Sequence, residues 1–197
     1  MSFHESLAEG LLGEGLIARW FNRRGWNVLP AYEIEHTTGK GPRLFMSSES
    51  PTPQLVTPDL LVFNAAQVLW IEAKTKSAFT WHRASGSWQT GIDRRHWIHY
   101  LEVAKQTPWA VWLLFLHKSG CLAKDTPLGM RSPSGLYGGS IKHLKDHVDH
   151  EHDNWGTTGM VYWQEKSLTR ICDYAEVATV PAPSYVTTQT QAVGVMA

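Results

Sequence analysis

The sequence predicts an α/β domain in which helices flank a mixed sheet, and three observations carry that reading. Two short apolar runs rich in β-branched and aromatic residues, Leu60–Phe63 and Val68–Ile71, are separated only by Asn64–Gln67, the pattern of a β-hairpin. A helical pattern precedes this hairpin at residues 2–24, and another follows it at residues 93–105. After the second helix, Trp109–His117 is a continuous apolar run bounded by turn signals, as expected of a strand covered on both faces. With one strand ahead of the hairpin, the order is αβββαβ over residues 5–117, and the rest is a C-terminal elaboration.

Residues 2–24 contain good helix formers, although Gly10, Gly13 and Gly15 each weaken a helix by roughly 1 kcal/mol. Gly25 supplies its C-terminal cap. Leu7, Leu11, Glu14, Ala18 and Phe21 recur at 3–4 spacing and put Glu14 on an apolar arc, whereas Glu9 falls on the other side between Leu16 and Trp20. A carboxylate on a core-facing stripe needs a partner. Residues 26–34 read as the first strand. Residues 35–58 are rich in Gly, Pro and Ser and read as a long loop with a short strand near 43–46. Loops of that length in compact domains are often functional. Pro58 suits a strand start, where its missing N–H does least harm.

Beyond the hairpin, Phe79 and Trp81 suggest a further short strand, and Gly86 marks a turn. Asp93 is the expected N-cap of the second helix, whose core stripe is Trp97, Tyr100, Leu101 and Ala104, and Thr107-Pro108 ends it. Residues 140–150 read as a helix capped by Ser140. Residues 160–163 and 168–171 read as a closing hairpin around 164–167. From Pro181 the chain is rich in Pro, Thr and Gln, so the expectation is one domain over 1–180 and a disordered tail over 181–197.

With 18 basic and 18 acidic side chains, the whole chain gives no hint of a polyanionic partner. The distribution says more. Between Glu72 and Lys105 six basic residues (Lys74, Lys76, Arg83, Arg94, Arg95, Lys105) face three acidic ones (Glu72, Asp93, Glu102), a local basic face suited to phosphate. Trp81, His82, Arg83 and Trp88 mix aromatic and basic groups as nucleic-acid surfaces do. Two cysteines, Cys121 and Cys172, form no disulfide framework. Residues 1–10 lack the apolar stretch of a signal peptide, and the longest apolar run is far short of the roughly 20 residues of a membrane span. A reduced, cytoplasmic setting with no membrane association is expected.

The chemistry concentrates in T-P-D-L-L-V-F-N-A-A-Q-V-L-W-I-E-A-K-T-K, residues 57–76. A turn centred on Ala65 and Ala66 pairs Phe63 with Val68 and, continued outward, sets Asp59 opposite Glu72. Opposed residues in an antiparallel pair hold their Cβ atoms roughly 4.5–5.5 Å apart. Glu72 and Lys74 share a strand face. Two carboxylates that close repel unless a cation lies between them, and a hard divalent ion such as Mg²⁺ suits an all-oxygen set. Lys74 is placed to hold a water or a phosphate.

Pro58-Asp59, twelve intervening residues and Glu72-Ala73-Lys74 resemble the signature of the PD-(D/E)xK nuclease superfamily, and the αβββαβ order resembles its restriction-endonuclease-like core. The stretch G-E-G-L-I-A-R-W-F-N-R-R-G-W, from Gly13 to Trp26, is similar to the Holliday junction resolvase-like version, which favours Glu14 over Glu9 as a further acid at the metal. The resemblance implies a Mg²⁺-dependent deoxyribonuclease, more an endonuclease than an exonuclease, with Mn²⁺ as a substitute. Asp59, Glu72, Glu14 and the Ala73 carbonyl would bind the ion, and Asp59, Glu72, Lys74 and Glu14 would form the catalytic set. Lys76, Arg83, Arg94 and Arg95 would contact DNA, and the class accommodates a homodimer.

Two rivals remain. One is a non-catalytic nucleic-acid-binding or assembly protein with the same fold. The other is a zinc-binding module built on His143, His147, His150 and His152, the first two spaced i, i+4, although Asp and Lys interleave them as on a solvated helix.

Overall fold

The computed structural model describes residues 3–31, 43–44, 55–118, 126–153 and 159–179, with side chains from residue 10 onward and excluding those of 43 and 44. A long helix, α1 (Phe3–Arg23), leads into strand β1 (Asn27–Pro30). Two short strands, β2 (Arg43–Leu44) and β3 (Leu55–Val56), pair as a ribbon. The hairpin β4 (Leu60–Phe63) and β5 (Val68–Lys76) follows. Next come β6 (Thr80–His82), β7 (Ser87–Asp93), helix α2 (Arg94–Gln106) and β8 (Ala110–His117). The C-terminal part adds β9 (Gly135–Ser140), α3 (Ile141–Asp146), β10 (His150–His152), β11 (Met160–Gln164), a 3-10 turn, β12 (Thr169–Cys172) and α4 (Tyr174–Ala178).

Six strands form the main sheet in the order β1-β4-β5-β8-β9-β12. Every pairing is antiparallel except β5 with β8, so the sheet is mixed, and α1, β1, β4, β5, α2 and β8 reproduce the expected αβββαβ order. Helices α1 and α4 cover one face through Ile17, Trp20, Phe21 and Val177, which pack on Ile71, Ala73 and Leu114. The other face carries α2, α3 and a second sheet in the order β10-β11-β7-β6. Trp97, Tyr100, Val103, Ile92 and Trp163 pack there against Trp70, Leu113 and Phe115.

Local sequence explains the central hairpin. Asn64 turns the chain by accepting the Ala66 and Gln67 N–H groups on its side-chain oxygen, at 2.8 and 3.1 Å. That turn fixes the pairs Phe63↔Val68 through Leu60↔Ile71, the expected register. Gly25, at φ 78°, ends α1 as expected. Gly13 is required by close approach rather than by conformation: a Cβ there would lie 1.5 Å from Thr75 Oγ1, so α1 crosses β5 at that glycine.

Several expectations are corrected. The strand expected over 26–34 is Asn27–Pro30, and residues 32–42 lie outside the described residues. Residues 160–163 and 168–171 are strands but not a hairpin. The first pairs with β7 in the small sheet, the second with β9 at the edge of the large one, and the turn Glu165–Ser167 carries the chain between sheets. The helix capped by Ser140 stops at Asp146, because His150–His152 is drawn into pairing with β11. The tail 181–197 and Cys121 lie outside the described residues, and Cys172 is buried as a free thiol. Among the described residues no helix is long and apolar enough to cross a membrane.

Candidate active site

Strand β5 runs nine residues, but β4 pairs with it only as far as Ile71. From Glu72 to Lys76 it is paired on one side only, with Leu113–His117 of β8. The ladder to β4 stops one pair short of Asp59, and the Asp59 side chain takes over: its Oδ2 accepts the Ala73 N–H at 2.9 Å. The hairpin thus brings Asp59 to the start of the Glu72-Ala73-Lys74 segment, as the register implies. Alternation along β5 sends Ile71 and Ala73 to the α1 face and Glu72, Lys74 and Lys76 to the α2 face.

Glu72 is fully buried, at 0% exposure. Its Oε1 is paired with the Lys74 ammonium, and neither carboxylate oxygen has a partner of regular hydrogen-bond geometry. Burial and then the charge of Glu72 push the Asp59 carboxyl up to about 7, against the opposing pull of Lys74 and the Ala73 N–H. Burial alone would lower the Lys74 ammonium, but Glu72 first, then Asp59 and Glu14, outweigh it and hold the group above the usual lysine range. The Lys74 side chain keeps 28% of its surface in contact with solvent. The arrangement is an excess of carboxylate around one ammonium, partly shielded from water.

Helix α2 roofs this cluster. Burial, followed by the charges of Glu72 and Asp59, a contact of the phenol with the Glu72 carboxylate and the charge of Glu14, raises the Tyr100 phenol well above its ordinary value. His96, one turn earlier and 6.1 Å from the Tyr100 ring, is lowered by burial and then by Lys74. Both belong to the site's surroundings. In the sequence Tyr100 reads only as part of a core stripe; the available signal is the i, i+4 spacing of His96 and Tyr100 on one helix face.

Glu14 is half-buried on α1, and its charge acts on Lys74 and Tyr100. The buried face of the helix is Gly13, Ile17, Trp20 and Phe21, and Leu11 and Leu12 are 36% and 59% exposed. The expected arc is therefore rotated, and Glu14 stands at its margin. The Glu9 side chain lies outside the described residues.

The expected DNA contacts are dispersed. Lys76 follows Lys74 on the same face, and burial and then the Lys74 charge push its ammonium down to about 8. It pairs in register with His117, which is fully buried and stacks on Phe79 at 3.6 Å between ring centres. Arg83 and Arg95 are exposed, Arg83 in the turn between β6 and β7. Arg94 is engaged within the chain by Glu151, at 3.5 Å, and by Asp153. Of the late histidines, His143 and His147 stack on each other, and each directs one ring nitrogen to a carbonyl, of Ser167 and His143 respectively, at 2.8 Å. Among the described residues neither belongs to a group of three ligand-type side chains close enough to share an ion.

No protein-family model matches the chain, and no curated protein matches it in sequence. Among solved structures, the chain is similar to Hjc, a Holliday junction resolvase from the archaeal hyperthermophile Archaeoglobus fulgidus. The identity is 10%, the match covers 80% of this chain and 90% of that one, and the TM-score is 0.43.

Proposed function

We propose that the chain is a divalent-metal-dependent nuclease acting on DNA phosphodiester bonds. One observation supports this above the others: Asp59 is held against the buried Glu72, with Lys74 paired to Glu72 on the same strand face. A buried carboxylate whose oxygens lack regular hydrogen bonds, beside a second carboxyl, is a donor set that fits a hard divalent cation. Asp59, Glu72, Glu14 and the Ala73 carbonyl would hold Mg²⁺ or Mn²⁺. When bound, the ion lowers the pKa of a water and offsets charge on a phosphoryl oxygen.

The chain's own residues account for the rest. The Ala73 N–H orients the Asp59 carboxyl. Lys74, kept charged by its carboxylate neighbours, is a compact ammonium able to hold the attacking water or the scissile phosphate. Tyr100 and the rest of α2 exclude water from the Glu72 side. Lys76 continues the same face outward and is the first phosphate contact beyond the site, with Arg83, Arg94 and Arg95 as outlying contacts.

The test is incubation of the purified chain with supercoiled, linear, single-stranded and branched DNA, with Mg²⁺, Mn²⁺ or a chelator. Cleavage in the metal arms only, lost in Asp59→Ala, is expected. Binding without cleavage under both ions would replace this reading with a non-catalytic DNA-binding protein.

A further inference from the structure

The outer face of the small sheet carries a polar cluster that the nuclease reading does not use. Strands β6 and β10 are its two edges, separated by β7 and β11. Side chains from both edges nonetheless meet over the middle strands. Gly91 on β7 makes this convergence feasible: a Cβ there would lie 2.8 Å from the Tyr162 ring and 2.5 Å from the Val161 carbonyl. Tyr162 therefore lies flat over Gly91, His150 stacks on Tyr162 at 4.8 Å and 16°, and His82 stacks on His150 at 4.8 Å and 22°. Asp149 closes the group.

Ligand atoms of His82, Asp149 and His150 all lie within 4.8 Å of one another. At the centre is the side-chain amide of Gln89, a residue only 3% exposed. Its Nε2 is 2.7 Å from Asp149 Oδ2, 3.3 Å from His82 Nδ1 and 3.5 Å from Ser85 Oγ. A neutral N–H donor thus occupies the point where lone pairs from separate segments converge. His150 Nδ1 is 2.7 Å from the same Asp149 oxygen. The other oxygen, Oδ1, accepts from Gln164, which fixes the plane of the carboxylate as outer partners do around a metal.

We propose that His82, Asp149 and His150 form a binding site for a divalent transition ion, with Zn²⁺ the best fit. Two imidazoles and one carboxylate select a borderline-soft ion over Mg²⁺. Bonds of roughly 2.0–2.2 Å in tetrahedral geometry need ligand atoms roughly 3.3 Å apart, so the three groups close by a modest side-chain rotation. Turning the Gln89 amide over presents its oxygen as the fourth ligand. The ion replaces the His150–Asp149 hydrogen bond and the 2.8 Å contact of His82 Nδ1 with Ser85 Oγ, and ties the two edge strands of the small sheet across its middle pair.

The test is titration of the metal-stripped full chain with Zn²⁺ by calorimetry, and with Co²⁺ by visible absorption, which reports four-coordinate geometry directly. Thermal unfolding is followed in parallel. One tight equivalent, a four-coordinate Co²⁺ spectrum and a raised melting temperature are expected. His82→Ala, His150→Ala and Asp149→Asn should each weaken binding by about tenfold or more and remove the thermal shift, with circular dichroism confirming that they fold. His143→Ala should leave binding unchanged, and so should Asp59→Asn, which separates this site from the proposed catalytic one. No Zn²⁺ uptake by the parent, or loss of binding in His143→Ala or Asp59→Asn but not in the three named variants, overturns the proposal.

Discussion

Burial of His117 at the end of β8 is expected to make the protein less stable in acid. The residue lies directly beside Lys76, is fully buried, stacks on Phe79, and has no hydrogen-bond partner of regular geometry on either ring nitrogen. Burial first and the Lys76 charge second push its imidazole from 6.5 down to about 3, with the Ala78 backbone opposing. An unfolded chain takes up a proton at this residue as pH falls through 6.5, whereas the folded chain does not until about 3. Between those values the unfolded state binds more protons, so stability falls as pH falls. One pH unit of that difference is about 1.4 kcal/mol, so His117 costs about 2 kcal/mol at pH 5 and about 3 kcal/mol at pH 4, and nearly nothing at pH 7.5. Replacing it in His117→Leu keeps an apolar body under Phe79 and removes the titration. Urea unfolding of parent and variant at pH 7.5 and pH 5 isolates the effect, since the carboxylates common to both cancel in the difference. With a slope near 2 kcal/mol/M, the variant's midpoint should gain about 1 M on the parent's between the two pH values. Lys76→Met should narrow that gain without abolishing it, because burial is the larger cause. A parent-to-variant difference that does not change with pH would refute the reasoning.

Asp59→Ala should abolish ion-dependent cleavage while circular dichroism remains that of the parent, because one of two repelling carboxyls has been removed. Gly13→Ala, helpful in a free helix, should destabilise the protein by about 1–3 kcal/mol in chemical denaturation, since its methyl would meet Thr75 at the α1–β5 crossing. DNA affinity should fall with rising salt, and Arg94→Ala should flatten that slope less than Lys76→Ala does, because Arg94 is already paired with Glu151 and Asp153. An equal flattening would mean that Arg94 exchanges its partners for phosphate at no cost.

The centre of the fold was legible because strong local signals agree there. Two apolar strands and a four-residue turn leave one register, and that register brings Asp59 to Glu72. The phase of α1 was less legible because its closest approach to the sheet is made by Gly13, which carries no apolar signal, while Leu11 and Leu12 face outward. Strand β9, G-L-Y-G-G-S, carries no strand signal in the sequence because its glycines give way to neighbours: a Cβ on Gly138 would lie 2.5 Å from Leu114. Strand β7 is hard to read in the sequence for a related reason, its Gly91 making room for Tyr162. The hairpin expected near residue 165 failed because adjacency in sequence suggested pairing, whereas each strand completes a different sheet. The His82–Asp149–His150 cluster joins positions far apart in the chain, and no local pattern connects them.

Lys74 then holds two roles that a single experiment can separate. Glu72 is fully buried, and Lys74 is its ion-pair partner. Removing one partner of a buried pair leaves an uncompensated charge and costs about 3–5 kcal/mol. The Lys74 side chain is 28% exposed, so water reaches the vacated space and the lower end, about 3 kcal/mol, is expected of Lys74→Met, which keeps the aliphatic bulk. In the proposed site a divalent ion carries the charge that Glu72 then lacks. Lys74→Met should therefore be less stable than the parent in chelator by about 3 kcal/mol, and saturating Mg²⁺ should recover more than half of the loss. The catalytic role responds differently. If Lys74 acts mainly on the transition state, single-turnover cleavage by the Mg²⁺-loaded variant stays slow although its stability and DNA binding have returned. Lys74→Arg should restore the charge but not the rate, since a planar guanidinium cannot replace a compact ammonium. A stability deficit of the same size with and without Mg²⁺ would show that no ion neutralises Glu72. Cleavage recovering in step with stability would make Lys74 a structural counter-ion and nothing more.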